Sequence, residues 1–110
     1  MILIVVKFQV NPDRREEWLQ ITDEFTQAVR AEPGNRSFEW YTSADRPNEF
    51  VLIEEFEGPE AGAVHVQADH FKTAMARIPD VISETPQIVN FDLPGDGWSE
   101  LVELAKKPSS

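Results

Sequence analysis

Residues 49–75 read EFVLIEEFEGPEAGAVHVQADHFKTAM, and this stretch decides how the chain is organised. An apolar strand, residues 49–57, runs into the break Gly58-Pro59, and a helical segment then carries both histidines, His65 and His70. The helix is expected to be interrupted near Ala68-Asp69, where Asp69 can cap a following turn from His70 to Ile78. Histidine titrates near neutrality, so in a chain without cysteine it is the first candidate for proton transfer.

Upstream of that stretch, residues 36–43 form another strand, and the turn Ala44-Asp45-Arg46-Pro47-Asn48 makes the two an antiparallel hairpin. Residues 2–10 are apolar on both parities, which predicts a strand covered on both faces. Asn11-Pro12 then starts a helix, with Asn11 as N-cap and Pro12 at the first helical position. Trp18, Ile21, Phe25 and Val29 give this helix an apolar stripe at steps of three, four and four. Glu32-Pro33-Gly34-Asn35 ends it. Downstream, residues 87–93 read as a fourth strand.

The order β-α-β-β-α-β predicts an α+β, ferredoxin-like arrangement with both helices on one face of a four-stranded antiparallel sheet. The opposite face is still apolar on the first strand and needs a cover, for which a second copy of the chain is the simplest candidate. Residues 1–93 are read as one domain. Residues 94–110 form a tail whose Trp98, Leu101, Val102 and Leu104 can pack on a partner subunit.

Composition narrows the function. The 110 residues suffice for a single core. Ten basic against twenty acidic residues give a net charge of −10, which repels phosphate backbones and anionic membrane surfaces. The absence of cysteine removes disulfides, thiolate nucleophiles and iron–sulfur clusters, and suits a reducing cytoplasm. Met1-Ile-Leu-Ile-Val-Val reads as a strand, not a signal peptide, because it ends at Lys7 and lacks a basic leader.

Taken as an ordered set, several motifs resemble the antibiotic biosynthesis monooxygenase superfamily, and within it the small quinol monooxygenase-like group. They are Glu32-Pro33-Gly34, Phe38-Glu39-Trp40-Tyr41, Phe50-Val51-Leu52-Ile53-Glu54-Glu55-Phe56, His65, and Asp69-His70-Phe71. The resemblance implies a dimeric α+β barrel, a homodimer whose sheets pack face to face while each subunit keeps a pocket between sheet and helices. It implies a cofactor-independent monooxygenase, in which a deprotonated aromatic substrate passes an electron to oxygen without metal, flavin or haem. Members that oxidise polycyclic substrates carry Asn, Trp and Tyr where Ala61, His65 and Phe71 align, so the amide and the phenol are lost here. The haem-degrading branch needs an axial histidine where Met75 stands, and a first-strand asparagine where Lys7 and Phe8 stand. Haem degradation is not expected.

His65 is the candidate base. On a helix, Asp69 four residues on shares its face and can orient the imidazole; the alternative is a histidine that merely packs near a kink. His70 lies about 140° around an ideal helix from His65; a kink could bring the two closer, but a metal pair is not expected. It reads as a residue of the pocket edge or surface. Trp40, Phe71 and Met75 are provisional walls of an aromatic-substrate pocket, with Asp69 and His70 beside them, and core packing is the alternative for the apolar ones. Glu54-Glu55 places a carboxylate on each face of its strand, and the covered one is expected to pair with Lys7 or Arg36. Two other functions stay open: an isomerase or lyase acting on a small carbonyl compound, and a non-catalytic dimeric module, for example a stress protein, that binds a small molecule or a partner.

Overall fold

Along strand β1 (Ile2–Gln9), Ile2, Ile4, Val6 and Phe8 are buried, whereas Leu3 and Val5 are partly covered and Lys7 is exposed. Successive strand residues point to opposite faces, so β1 has one filled face and one open face. Cover on both faces, expected from the sequence, is therefore not supplied by a single chain. The computed structural model describes residues 1–108.

β1 lies inside a four-stranded antiparallel sheet with β2 (Asn35–Thr42), β3 (Glu49–Phe56) and β4 (Gln87–Asp92), in the spatial order β2-β3-β1-β4. This is the ferredoxin-like arrangement. The Ser43 hydroxyl accepts the Asp45 and Arg46 amides and closes the β2–β3 hairpin.

The first helical region begins at Pro12, as expected, but as a 3₁₀ turn (Pro12–Glu17) followed by α1 (Trp18–Ile21) and α2 (Asp23–Arg30). Asn11 stands at the cap without a side-chain bond, and its carbonyl accepts the Arg14 amide instead. Of the apolar stripe, Trp18 and Val29 are fully buried. Trp18 packs its ring within 5.9 Å of the Phe8, Trp40 and Phe50 rings. Buried Thr22 and Thr26 turn their hydroxyls onto the carbonyls of Trp18 and Thr22 at 2.9 and 2.8 Å, which satisfies them inside the helix.

The second helical region is broken, as expected. α3 (Pro59–Gln67) and α4 (Asp69–Arg77) meet at Ala68, whose φ of −69° and ψ of 147° are extended. Ala68 takes the cap position, and Asp69 lies in the first turn, exposed. A 3₁₀ turn (Ile78–Val81) follows.

All these helices cover the face of Ile4 and Phe8. On the other face the register aligns Val5 with Ile53 and Val89, Leu3 with Phe91, and Tyr41 with Val51, an apolar surface on which Tyr41, Val89 and Phe91 are half exposed. The tail is tethered by an Arg36–Asp96 ion pair at 3.3 Å and by the Trp98 indole donating to Glu55 at 3.1 Å. Beyond that point Leu101, Val102 and Leu104 are exposed. The radius of gyration, 16.0 Å, exceeds the roughly 13 Å of a compact chain this long, consistent with a projecting tail. Among the described residues, no helix is long and apolar enough to cross a membrane.

Candidate active site

His65 is the one buried residue of α3, enclosed by the rings of Phe56 at 4.9 Å, Phe71 at 5.2 Å and Phe25 at 6.2 Å. An imidazole in such surroundings needs polar partners, because an unpaired buried donor or acceptor costs about 1–3 kcal/mol. Two carboxylates meet it, one on each ring nitrogen.

Glu32 is the first. α2 ends through the Glu32 amide bonding to the Val29 carbonyl at 2.9 Å, and the Asn35 amide returns to the Glu32 carbonyl at 3.1 Å. The turn docks against α3 so closely that a Cβ on Gly34 would collide with the Cβ of Ala61. This contact aims Glu32 inward, its side chain 8% exposed. Oε2 lies 3.0 Å from His65 Nδ1 and 2.5 Å from His70 Nε2. An ionised Glu32 only accepts, so both nitrogens donate to it, and a neutral His65 in this arrangement has its lone pair on Nε2.

Glu54 is the second. It pairs with Ile4 and Phe38 in the sheet and shares their buried face. Its Oε1 lies 3.5 Å from His65 Nε2, too far and poorly aligned for a hydrogen bond, and has no other partner. Burial pushes this carboxyl up to about 7, with the neighbouring Glu32 charge adding to the push. Farther along the same strand, Arg46 and then Gln9 donate to Glu49 and hold its carboxyl down at about 2. Donors make the difference. The expected pairing of Glu54 with Lys7 or Arg36 does not occur: Lys7 lies on the open face, and Arg36 reaches Asp96.

His65 and Glu54 form the polar wall of a cavity of about 260 Å³, whose apolar lining includes Phe8, Leu52, Phe71 and Met75. His70 opens onto a separate hollow of about 140 Å³ between α2 and α4, beside Phe25 and Arg77. Of the residues singled out in the sequence, His65, Phe71 and Met75 therefore share one cavity, and His70 is joined to His65 through Glu32. Trp40 stands elsewhere, packed on Phe8 and Trp18 and donating to the Thr26 hydroxyl at 2.9 Å. Asp69 points to solvent; the carboxylate at His65 Nδ1 comes from Glu32 because the break at Ala68 removes the i,i+4 alignment. That same break brings His70 within 6.5 Å of His65, ring to ring, where an unbroken helix would have separated them. Glu32 had been read only as part of a turn. Glu54 was signalled in the sequence, since Phe50, Leu52, Glu54 and Phe56 place one carboxylate in an apolar row.

Comparison with known proteins agrees with this fold. Residues 1–77 match the family model for antibiotic biosynthesis monooxygenases. YcnE of Bacillus subtilis strain 168, a monooxygenase in name, is 28% identical over 93 residues, covering 84% of this chain and 98% of its own. A 4-hydroxy-5-phosphonooxypentane-2,3-dione isomerase from Klebsiella pneumoniae is 22% identical over 91 residues, covering 83% and 93%. A solved structure from Nitrosomonas europaea, named for the same monooxygenase family, is 27% identical with a TM-score of 0.78, covering 86% of this chain and all of its own. The chain belongs to the antibiotic biosynthesis monooxygenase family.

Proposed function

We propose that this protein is a cofactor-independent monooxygenase that oxidises a small quinol-type aromatic with molecular oxygen. The observation that carries the reading is His65, buried, tied by Nδ1 to Glu32 and turning Nε2 into an apolar cavity beside Glu54. A base fixed in tautomer and aimed at a substrate hydroxyl is what such a reaction asks of the protein. The cavity, about 260 Å³, lies just below the 300–1,000 Å³ typical of drug-sized ligands and favours a single ring over a polycycle.

His65 Nε2 takes a quinol proton. The resulting anion gives one electron to oxygen, and the radical pair recombines at a ring carbon. The imidazolium returns its proton to the peroxide so formed, and loss of water leaves a hydroxylated quinone, so one oxygen atom enters the product and the other departs as water. The aromatic lining excludes bulk solvent from these intermediates. The apolar sheet face of Val5, Ile53, Val89 and Phe91 supports a homodimer, with the exposed tail leucines reaching the second subunit.

Dissolved oxygen, followed as metal-free protein meets a panel of small hydroquinones, tests the reading after autoxidation is subtracted. His65→Ala should lose about 10²-fold or more of the protein-dependent rate. Unchanged turnover in a folded variant removes His65 from the mechanism. The isomerase reading has its own support in the Klebsiella relative and in the pairing of an imidazole with a raised carboxyl, which suits proton shuttling between carbons. Turnover of a small hydroxyketone without oxygen would favour it.

A further inference from the structure

Glu32, His65 and His70 each bring one ligand atom within 4.8 Å of the others, delivered by the turn after α2, by α3 and by α4, and Glu32 Oε2 contacts both His65 Nδ1 and His70 Nε2. We propose that these three residues form a binding site for one divalent transition-metal ion of the zinc class, whose occupancy turns His65 from a proton acceptor into a donor.

Two imidazoles and a carboxylate, with no thiolate, suit zinc, cobalt, nickel or copper better than magnesium or calcium. With bonds of about 2.0–2.2 Å, such an ion holds its ligands roughly 3–3.5 Å apart. The His65–Glu32 contact is already 3.0 Å, and the His70–Glu32 contact of 2.5 Å needs to open by less than about 1 Å to meet that spacing. Both nitrogens meet a single oxygen, and the two imidazoles, whose ligand atoms lie no more than 4.8 Å apart, need to close by at most about 1.5 Å to share one ion.

Three further observations point to a cation. Glu32 Oε1 is buried without a hydrogen-bond partner, on a side chain 8% exposed. Among the described residues, the only ionic partners of buried Glu32 and Glu54 are imidazoles; neither carboxylate has a lysine or arginine. Finally, Glu54 Oε1 stands 3.5 Å from the other nitrogen of His65, short of a hydrogen bond but within reach of one small rotation. Metal-bound histidines characteristically donate that second N–H to a carboxylate, which fixes the ring and its tautomer.

Coordination through Nδ1 moves the His65 proton to Nε2, and His70 shifts its own from Nε2 to Nδ1, with no net proton released. His65 Nε2 then donates toward Glu54 and has no lone pair for a substrate. Loading the site should therefore suppress oxygen uptake, and only this consequence rests on the reading of His65 as base.

The test is zinc chloride titrated into chelator-stripped full chain, followed by calorimetry and native mass spectrometry, with cobalt absorption reporting coordination. One ion per chain is expected. His70→Ala should weaken binding at least tenfold, and Glu54→Gln by about 10- to 100-fold. Glu32→Gln should do likewise but sits beside the tight Gly34 contact, so His70→Ala, at a partly exposed position and checked by circular dichroism, carries the decision. No stoichiometric binding to folded wild type, or equal affinity in His70→Ala, overturns the proposal. Binding is read without turnover. Failure here, with oxygen uptake still dependent on His65, removes the ion and leaves the base; one bound ion lost in His70→Ala upholds the site even if no quinol is oxidised.

Discussion

Replacing Glu54 by glutamine should stabilise the metal-free protein at pH 8 and leave it nearly unchanged at pH 4. The folded chain holds the Glu54 carboxyl at about 7, against an ordinary value of 4.5. Between those two values the folded state binds more protons at this site than the unfolded state. Stability therefore falls as pH rises through the window, and the loss is complete above the folded value. The difference, 7 − 4.5, at 1.36 kcal/mol per unit corresponds to roughly 3 kcal/mol at pH 8. Below pH 4.5 the carboxyl is mostly neutral in both states, and the wild type carries little of this burden. Glutamine never ionises, so its gain should grow from near zero at pH 4 to about 3 kcal/mol at pH 8. For a chain of this length that is on the order of 10 °C in Tm. Urea unfolding followed by circular dichroism at pH 4, 6 and 8 in the presence of chelator measures it. Packing differences between Glu and Gln shift all three points alike, so the slope isolates the charge. A difference that stays flat across that range, or one that falls as pH rises, refutes the reasoning.

Other substitutions probe the elements that hold the site. Trp18→Ala, at a fully buried ring among Phe8, Trp40 and Phe50, should cost about 3–5 kcal/mol in urea unfolding; a loss below 1 kcal/mol would contradict the packing described. Gly34→Ala forces the turn away from Ala61 and should cost about 1–3 kcal/mol, and the displaced Glu32 should show as a changed His65 ¹⁵N shift. Ile53→Glu, on the open sheet face, should abolish the proposed homodimer by light scattering, and a mass equal to that of the wild type would remove that face from any interface.

The sheet was legible because its signals are local. The apolar run of β1, the hairpin turn and the Gly58-Pro59 break each act within a few residues, and together they leave few ways to order four strands. The candidate site was legible only in part. His65, Phe71 and Met75 could be placed together from their common helical segment. Glu32 could not, because it meets His65 across 33 residues of chain, through a turn whose close approach depends on Gly34. Asp69 was favoured by counting four residues along a helix, yet the expected break falls inside that interval and cancels the count. Trp40 was expected as a pocket wall, but a strand's period does not say which part of a sheet face meets a cavity. Thr26 decides it, by capturing the indole.

The break at Ala68 also bears on how this scaffold can change. Two nine-residue helices joined by one extended residue behave as two levers on a pivot, not as one rod. The sheet fixes the first lever through His65 and its surrounding rings. The second, two and a half turns long, is re-aimed by the torsion at Ala68 only as far as Phe71, His70 and Ala74 exchange their contacts with His65, Glu32 and the core. The contacts that α4 makes with the imidazole are thus the ones a change at Ala68 would rewrite. A lineage built on this plan can trade one chemistry for another by moving the pivot, while the architecture that keeps the chain folded stays the same.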